Sequence, residues 1–237
     1  MVARIPIYVI NLARDVDRWE SVLLETAGSP FETIRIDAVN ATELGPQAFV
    51  SSGVNAAWLS HLKAMKTFLK SNAQFALIAE DDFHIINPAE LASRLEDLRP
   101  QIWDFVQFGF LKPGLDTKVK IFFANTENLV FRFLGRLSLI HFFSKMHFSS
   151  RMRVSQSLSI PKGYVIDDCQ PGAHFYLVGR SFCEAIIQLN NPQFLSIDDF
   201  YTALSRMRTF RMLRSKRNLS TQKPFSAWSG PRFKREL

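Results

Sequence analysis

Short apolar runs and helical repeats take turns from residue 5 to residue 109, and that alternation leaves few folds open. "IPIYVI" (5–10) is an unbroken apolar run rich in β-branched side chains, the pattern of a strand covered on both faces. "DVDRWESVLLETAG" (15–28) carries Val16, Trp19, Leu23 and Leu24 at helical spacing and stops at Gly28. "FETIRI" (31–36) is the next strand. "NAAWLSHLKAMKTFLKS" (55–71) opens on Asn55 as a cap and repeats Trp58, Leu62, Met65 and Leu69, which predicts a helix. "FALIA" (75–79) is a strand, Pro88 starts a helix that runs to Leu98, and "IWDFVQFG" (102–109) is a strand. The pattern resumes with the strand "AHFYLVG" (173–179) and the helix "SFCEAIIQLN" (181–190). Strands alternating with helices predict an α/β sandwich with a mostly parallel sheet, which binds ligands at the carboxyl ends of its strands.

The chain of 237 residues is long enough for one large domain, and nothing in it reads as a repeat or a low-complexity linker. Its net charge of +7 and pI near 9.6 point to a polyanionic partner: nucleic acid, acidic lipid or a phosphorylated substrate. Cys169 and Cys183 make neither a disulfide framework nor a zinc site and read as reduced, buried thiols. Pro6 and Asn11 interrupt the first apolar run, so it reads as a strand rather than a leader. No apolar stretch approaches the roughly 20 residues of a spanning helix. The expected location is cytoplasmic, with peripheral contact at the inner face of the membrane. Two regions support that contact. Residues 118–155 form an insertion rich in Phe and Leu, where Arg132/Arg136 and His141/Lys145 fall at helical spacing. Residues 206–237 read as a basic tail. An amphipathic helix with a basic rim suits an anionic bilayer, and a buried helical hairpin is the competing reading.

"ALIAEDD" (76–82) is where chemistry is expected. Like charges this close are costly unless a cation is shared. Strand geometry puts Glu80 and Asp82 on one side and Asp81 on the other. Two carboxylates on one side can bind a hard divalent ion and leave sites for phosphate oxygens. Capping of the helix at Pro88, or pairing with surface lysines, would account for the same acids.

Taken in order, "IYVINLARDVDRWE", "IDAVNATEL", "WLSHLKAMKTFL", "ALIAEDDF", "AHFYLVGRSFCEAII" and "SIDDFY" resemble glycosyltransferase family 25. That group contains bacterial lipooligosaccharide galactosyltransferases and collagen galactosyltransferases. The resemblance implies a GT-A fold, a nucleotide-sugar donor such as UDP-galactose, a divalent metal such as Mn²⁺, and a glycan or glycolipid acceptor. Glu80, Asp81 and Asp82 would be the metal and diphosphate acids. Asn11, Arg14 and Arg18 of the first motif, Asp37 after the second strand, and Ser60 with His61 would bind the donor. His174 would line the site. Trp19 reads as core, and His84, His141 and His147 as structural.

A family member that inverts needs a base for the acceptor hydroxyl, and Asp198 and Asp199 are the expected pair. Asp167 and Asp168 are the rivals, and helix capping would explain either pair. The alternatives are another nucleotide sugar on the same scaffold, or a basic protein that binds membrane or nucleic acid without catalysis. The basic tail is the sole support for nucleic acid and no recognition motif accompanies it, so no nucleic-acid partner is expected.

Overall fold

A computed structural model describes residues 4–45, 50–111, 159–189, 193 and 195–223. The 118–155 insertion, with Arg132, Arg136, His141, Lys145 and His147, lies outside the described residues. The elements run β1 (Ile5–Asn11), α1 (Val16–Thr26), β2 (Phe31–Asp37), α2 (Ser52–Leu69), β3 (Phe75–Glu80), β4 (Phe83–Ile85) and α3 (Pro88–Leu98). They continue with β5 (Phe105–Gly109), β6 (Tyr164–Ile166), β7 (Phe175–Gly179), α4 (Arg180–Ile186), α5 (Ile197–Met207), β8 (Met212–Ser215) and β9 (Ser220–Gln222).

The sheet order is β2-β1-β3-β7-β5-β8-β6, with β9 joining β5 and β4 pairing β9. Strands β2, β1, β3, β5 and β8 run one way, and β7 and β6 run against them. The sheet is therefore mixed but mostly parallel. Side-chain alternation divides the core between its two faces. Tyr8, Ile78, Phe105 and Tyr176 pack with Trp58 of α2, Phe182 of α4 and Tyr201 of α5. Ile7, Val9, Leu77 and Phe175 pack with Val22 of α1 and Leu91, Leu95 and Leu98 of α3. Three layers result: helix, sheet, helix.

Three expectations change. The repeat Val16, Trp19, Leu23, Leu24 does not mark the buried face of α1. Val16, Leu23 and Leu24 are exposed, while Val22 and Thr26 face the sheet. Thr33 of β2 donates to the Thr26 hydroxyl at 2.9 Å, which fixes that side inward. The cap of α2 is Ser51, whose Oγ accepts from the Val54 amide at 3.3 Å, and Asn55 sits buried inside the helix. Ser51→Ala should lower the unfolding free energy by about 1 kcal/mol in a urea melt. An unchanged midpoint would show that α2 does not depend on this cap.

The third change concerns the basic tail. Residues 212–215 and 220–222 of that segment are strands of the sheet, and Met212 and Leu213 are fully buried. The arginines just before and within the first of these strands are accommodated by oxygen atoms. Arg211 donates to the Ile102 and Ser159 carbonyls, each at 2.7 Å, and Arg214 donates to the Asp168 carbonyl at 2.6 Å. Part of the positive charge thus serves the fold. Among the described residues, no helix is long and apolar enough to cross a membrane.

Candidate functional site

Strand register brings the expected residues to one edge. Asn11 lies opposite Asp37, and Ile10 opposite Glu80, at the carboxyl ends of β1, β2 and β3. The strand stops at Glu80, so Asp81 and Asp82 occupy a turn before β4. Asn87 caps α3 by accepting from the Glu90 amide at 3.0 Å, which leaves no capping duty for the acids.

The three carboxylates have different surroundings. Asp81 accepts from Asn11 Nδ2 at 2.7 Å and from Arg18 at 2.8 Å. Burial raises its pKa, and the bonds from Asn11 and Arg18 oppose that rise. Asp81 therefore ties the turn after β3 to β1 and α1. Asn11 and Arg18 are committed with it. Asn11 also donates to the Asp15 carbonyl at 3.1 Å and accepts from Arg35 at 2.5 Å. Arg35 in turn lies 5.2 Å from the ring centre of Trp19.

Asp82 is relieved less, by the charge of Arg18 and a backbone hydrogen bond. It is 8% exposed, and its Oδ1 has no hydrogen-bond partner among the described residues. Burial first, then the charges of Glu80 and Asp81, push its pKa up to about 7. Glu80 is half-buried. Burial raises its pKa, but a bond from His61 and the nearness of His61 and His174 outweigh that and hold it below the usual range. His61 is 1% exposed, with Nε2 at 3.4 Å from Glu80 Oε1 and Nδ1 at 2.8 Å from the Tyr176 hydroxyl.

Two more groups come from distant segments. His174, just before β7, is buried beside Glu80 and Asp198. Burial lowers its pKa, while Glu80, the Ser220 backbone and Asp198 pull the other way. Among the described residues, neither ring nitrogen completes a hydrogen bond of good geometry. Its neighbour Gly109 has no room for a side chain, since a Cβ there would stand 2.4 Å from His174 Nε2. Asp198, in the first turn of α5, accepts from the Ala173 amide at 2.7 Å. Burial raises its pKa, the Ala173 amide lowers it, and Glu80 raises it further.

The remaining expected residues divide. Ser60 donates to the Ala56 carbonyl at 2.7 Å and accepts from the Val39 amide at 2.8 Å, so its hydroxyl ties α2 to the loop after β2. Asp37 and Arg14 are exposed at the strand ends. Asp199 is exposed and exchanges bonds with Ser196 as part of the α5 cap. The rivals Asp167 and Asp168 are paired with Arg208 at 3.4 Å and Arg214 at 2.5 Å. His84 pairs with Glu25. Tyr176, Tyr201 and Gln222 were not expected. Gln222 Nε2 donates to Glu80 Oε2 at 3.5 Å. The available signal for the tyrosines was polarity within apolar elements, because a buried phenol needs a hydrogen-bond partner.

Among the described residues, no group of three or more His, Cys, Asp and Glu side chains could by itself hold a metal ion. Glu80 with the unpartnered Asp82 Oδ1 still fits a hard cation whose remaining ligands are water and phosphate oxygens. The site thus gathers Glu80, Asp82, His61, His174 and Asp198 at the end of β3.

No family model matches the chain, and no curated protein matches it. The solved structure of A197 from STIV is similar over 89% of this chain and 81% of that one, at 13% identity and a TM-score of 0.42. That likeness is too slight to argue fold or function from.

Proposed function

We propose that this protein is a metal-assisted glycosyltransferase that moves a hexose from a nucleotide sugar, UDP-galactose first among donors, to a lipooligosaccharide or related glycan. One observation carries the reading: the buried Asp82 carboxylate beside Glu80 at the carboxyl end of β3, where sharing a cation relieves their repulsion. Its support in sequence is the resemblance to family 25 glycosyltransferases.

Glu80 and Asp82 would hold a divalent cation, Mn²⁺ in the first instance. When bound it neutralises the negative charge that gathers on the diphosphate as the glycosidic bond breaks. Arg14, exposed beside the end of β1, adds positive charge at that edge. Asp198 takes the proton of the acceptor hydroxyl as the oxygen bonds to the anomeric carbon and the nucleoside diphosphate departs. A carboxylate with a raised pKa is a better base near neutral pH than an ordinary one.

A screen of UDP-sugars with Mn²⁺ and no acceptor tests the reading. Slow, cation-dependent release of UDP from one donor is the expected result. No release and no Mn²⁺-dependent UDP binding across the panel would remove the transferase assignment.

A further inference from the structure

The exposed apolar residues of α1 have no part in the chemistry above, and they lie along one edge of the sheet. Trp19 sits beside Arg35 of β2, 5.2 Å from its guanidinium carbon, and Thr26 takes a bond from Thr33 of the same strand. The opposite flank of the helix is committed elsewhere: Arg18 reaches Asp81, Glu25 accepts the Ile85 amide, and Ser21 accepts from Lys223. Val16 and Leu23 stand three residues before Trp19 and four after it, so they share its flank, the one turned toward β2. They are 51% and 47% exposed.

Strand β2 ends the sheet, and among the described residues no strand pairs its outer side. The Pro30 carbonyl and the Ala38 amide bond to β1. Even-numbered residues therefore turn their backbone groups to β1, and Phe31, Thr33, Arg35 and Asp37 turn theirs outward. Two of the outward groups are engaged: the Phe31 amide donates to Ser29 Oγ at 3.4 Å, and the Asp37 carbonyl accepts from Lys63 at 2.8 Å. Among the described residues the others have no backbone partner. An open row of such groups is a template for another strand.

We propose that a second copy of this chain fills that edge, the two β2 strands pairing antiparallel about a two-fold axis at Ile34. Only odd-numbered residues can exchange bonds across this edge, so odd must stand opposite odd. Centring the pair on Ile34 sets Thr33 opposite Arg35 and Phe31 opposite Asp37, and every outward residue finds a partner. Centring it on Arg35 would set two guanidinium groups side by side, and centring it on Thr33 would carry Asp37 past the end of the other strand.

This register keeps each side chain on its own face of the joined sheet. The two α1 helices then stand on the same side, with Val16 and Leu23 of one copy turned to those of the other, and the strip is buried against itself. On the second face Ile34 meets Ile34. Glu32, exposed at the start of β2, comes beside Ile36 of the other copy, next to the Lys63 ammonium that overhangs Asp37 there. Apolar strip thus meets apolar strip and acid meets base, and two-fold symmetry makes each contact twice. That self-complementarity selects a second copy over an unrelated strand. The pairing does not rest on the transferase reading.

Sedimentation equilibrium of the full-length protein over a dilution series tests the pairing. A monomer–dimer equilibrium is the expected result. Leu23→Glu, at a position exposed in the single copy, should raise the dissociation constant about 30-fold or more, as when each of two symmetric sites loses roughly 1 kcal/mol. Cysteine substitution reads the register. Ile34→Cys, on the axis and about 4.5 Å from its twin, should form a disulfide between copies under mild oxidation. Thr33→Cys should not, because it stands roughly 7–8 Å from its own counterpart. A monomer at every concentration overturns the proposal, and Leu23-dependent sedimentation of that monomer with acidic phospholipid vesicles would make the strip a lipid contact instead. A dimer that Leu23→Glu leaves intact overturns it too, and that result stands even if Ile34→Cys does not fold.

Discussion

Asp82→Asn should sharply lower sugar transfer and, at the same time, raise the melting temperature above pH 7. The two effects have one origin. In the unfolded chain this carboxyl ionises near its ordinary value of 3.8, but in the fold it keeps its proton to about 7. Between those values the folded state binds more protons than the unfolded one, so stability falls as pH rises through that window. The loss is complete above pH 7, and a shift of about three units corresponds to roughly 4 kcal/mol as a ceiling. Asparagine removes the ionisation and with it the penalty. A gain of several degrees at pH 8 that vanishes near pH 4 is the expected calorimetric result. Activity should fall by about 10²- to 10³-fold, the loss expected for one main electrostatic stabiliser. Mn²⁺ with UDP should stabilise the wild type at pH 8 and leave the variant unmoved. Transfer within tenfold of wild type would end the metal assignment, and a melting temperature equal to wild type at pH 8 would end the account of its cost.

What the sequence discloses about this site stops where partners come from distant segments. "ALIAEDD" announces a charged strand end, and its place at the ligand-binding edge follows from the alternation around it. It cannot say which acid is neutralised within the protein. That depends on Arg18, 63 positions away, donating to Asp81 at 2.8 Å. Ser60 and His61 stand side by side and face different tasks, since one meets backbone groups and the other faces Glu80.

The fold shows the same limit. The unbroken run at 5–10 and the start of α3 at Pro88 are local properties and read directly. The reversal of β7 is not local. An apolar strand carries no mark of its direction, and β7 lies antiparallel to both β3 and β5. Strand β8 was hidden by charge, because Arg211 and Arg214 spend theirs on carbonyls and on Asp168. On α1 the apolar residues Val16, Leu23 and Leu24 face solvent, whereas Trp19 packs against the core, so periodicity alone does not mark the buried side.

Asp198 is the group whose replacement should separate chemistry from binding. On the proposed mechanism, Asp198→Ala is expected to lower turnover by about 10²- to 10⁴-fold and to leave the KM for the donor nearly unchanged, because the proposed base acts on the acceptor proton. Asp199→Ala should cost only cap stability, roughly 0.3–1 kcal/mol, since that side chain is exposed and bound to Ser196. A structural role for Asp198 must be separated from a chemical one, because its Oδ1 also holds the Ala173 amide next to His174. Asparagine makes the separation: it still accepts that bond but cannot take a proton at neutral pH. If Asp198 is the base, Asp198→Asn is as inactive as Asp198→Ala while its melting temperature stays close to wild type. The wild-type rate should also rise with pH along a limb set by a carboxyl shifted above the ordinary range, since only the ionised form accepts the proton. If asparagine restores turnover, the carboxylate merely anchors the start of β7, and His174, buried between Glu80 and Asp198, becomes the group to test as base.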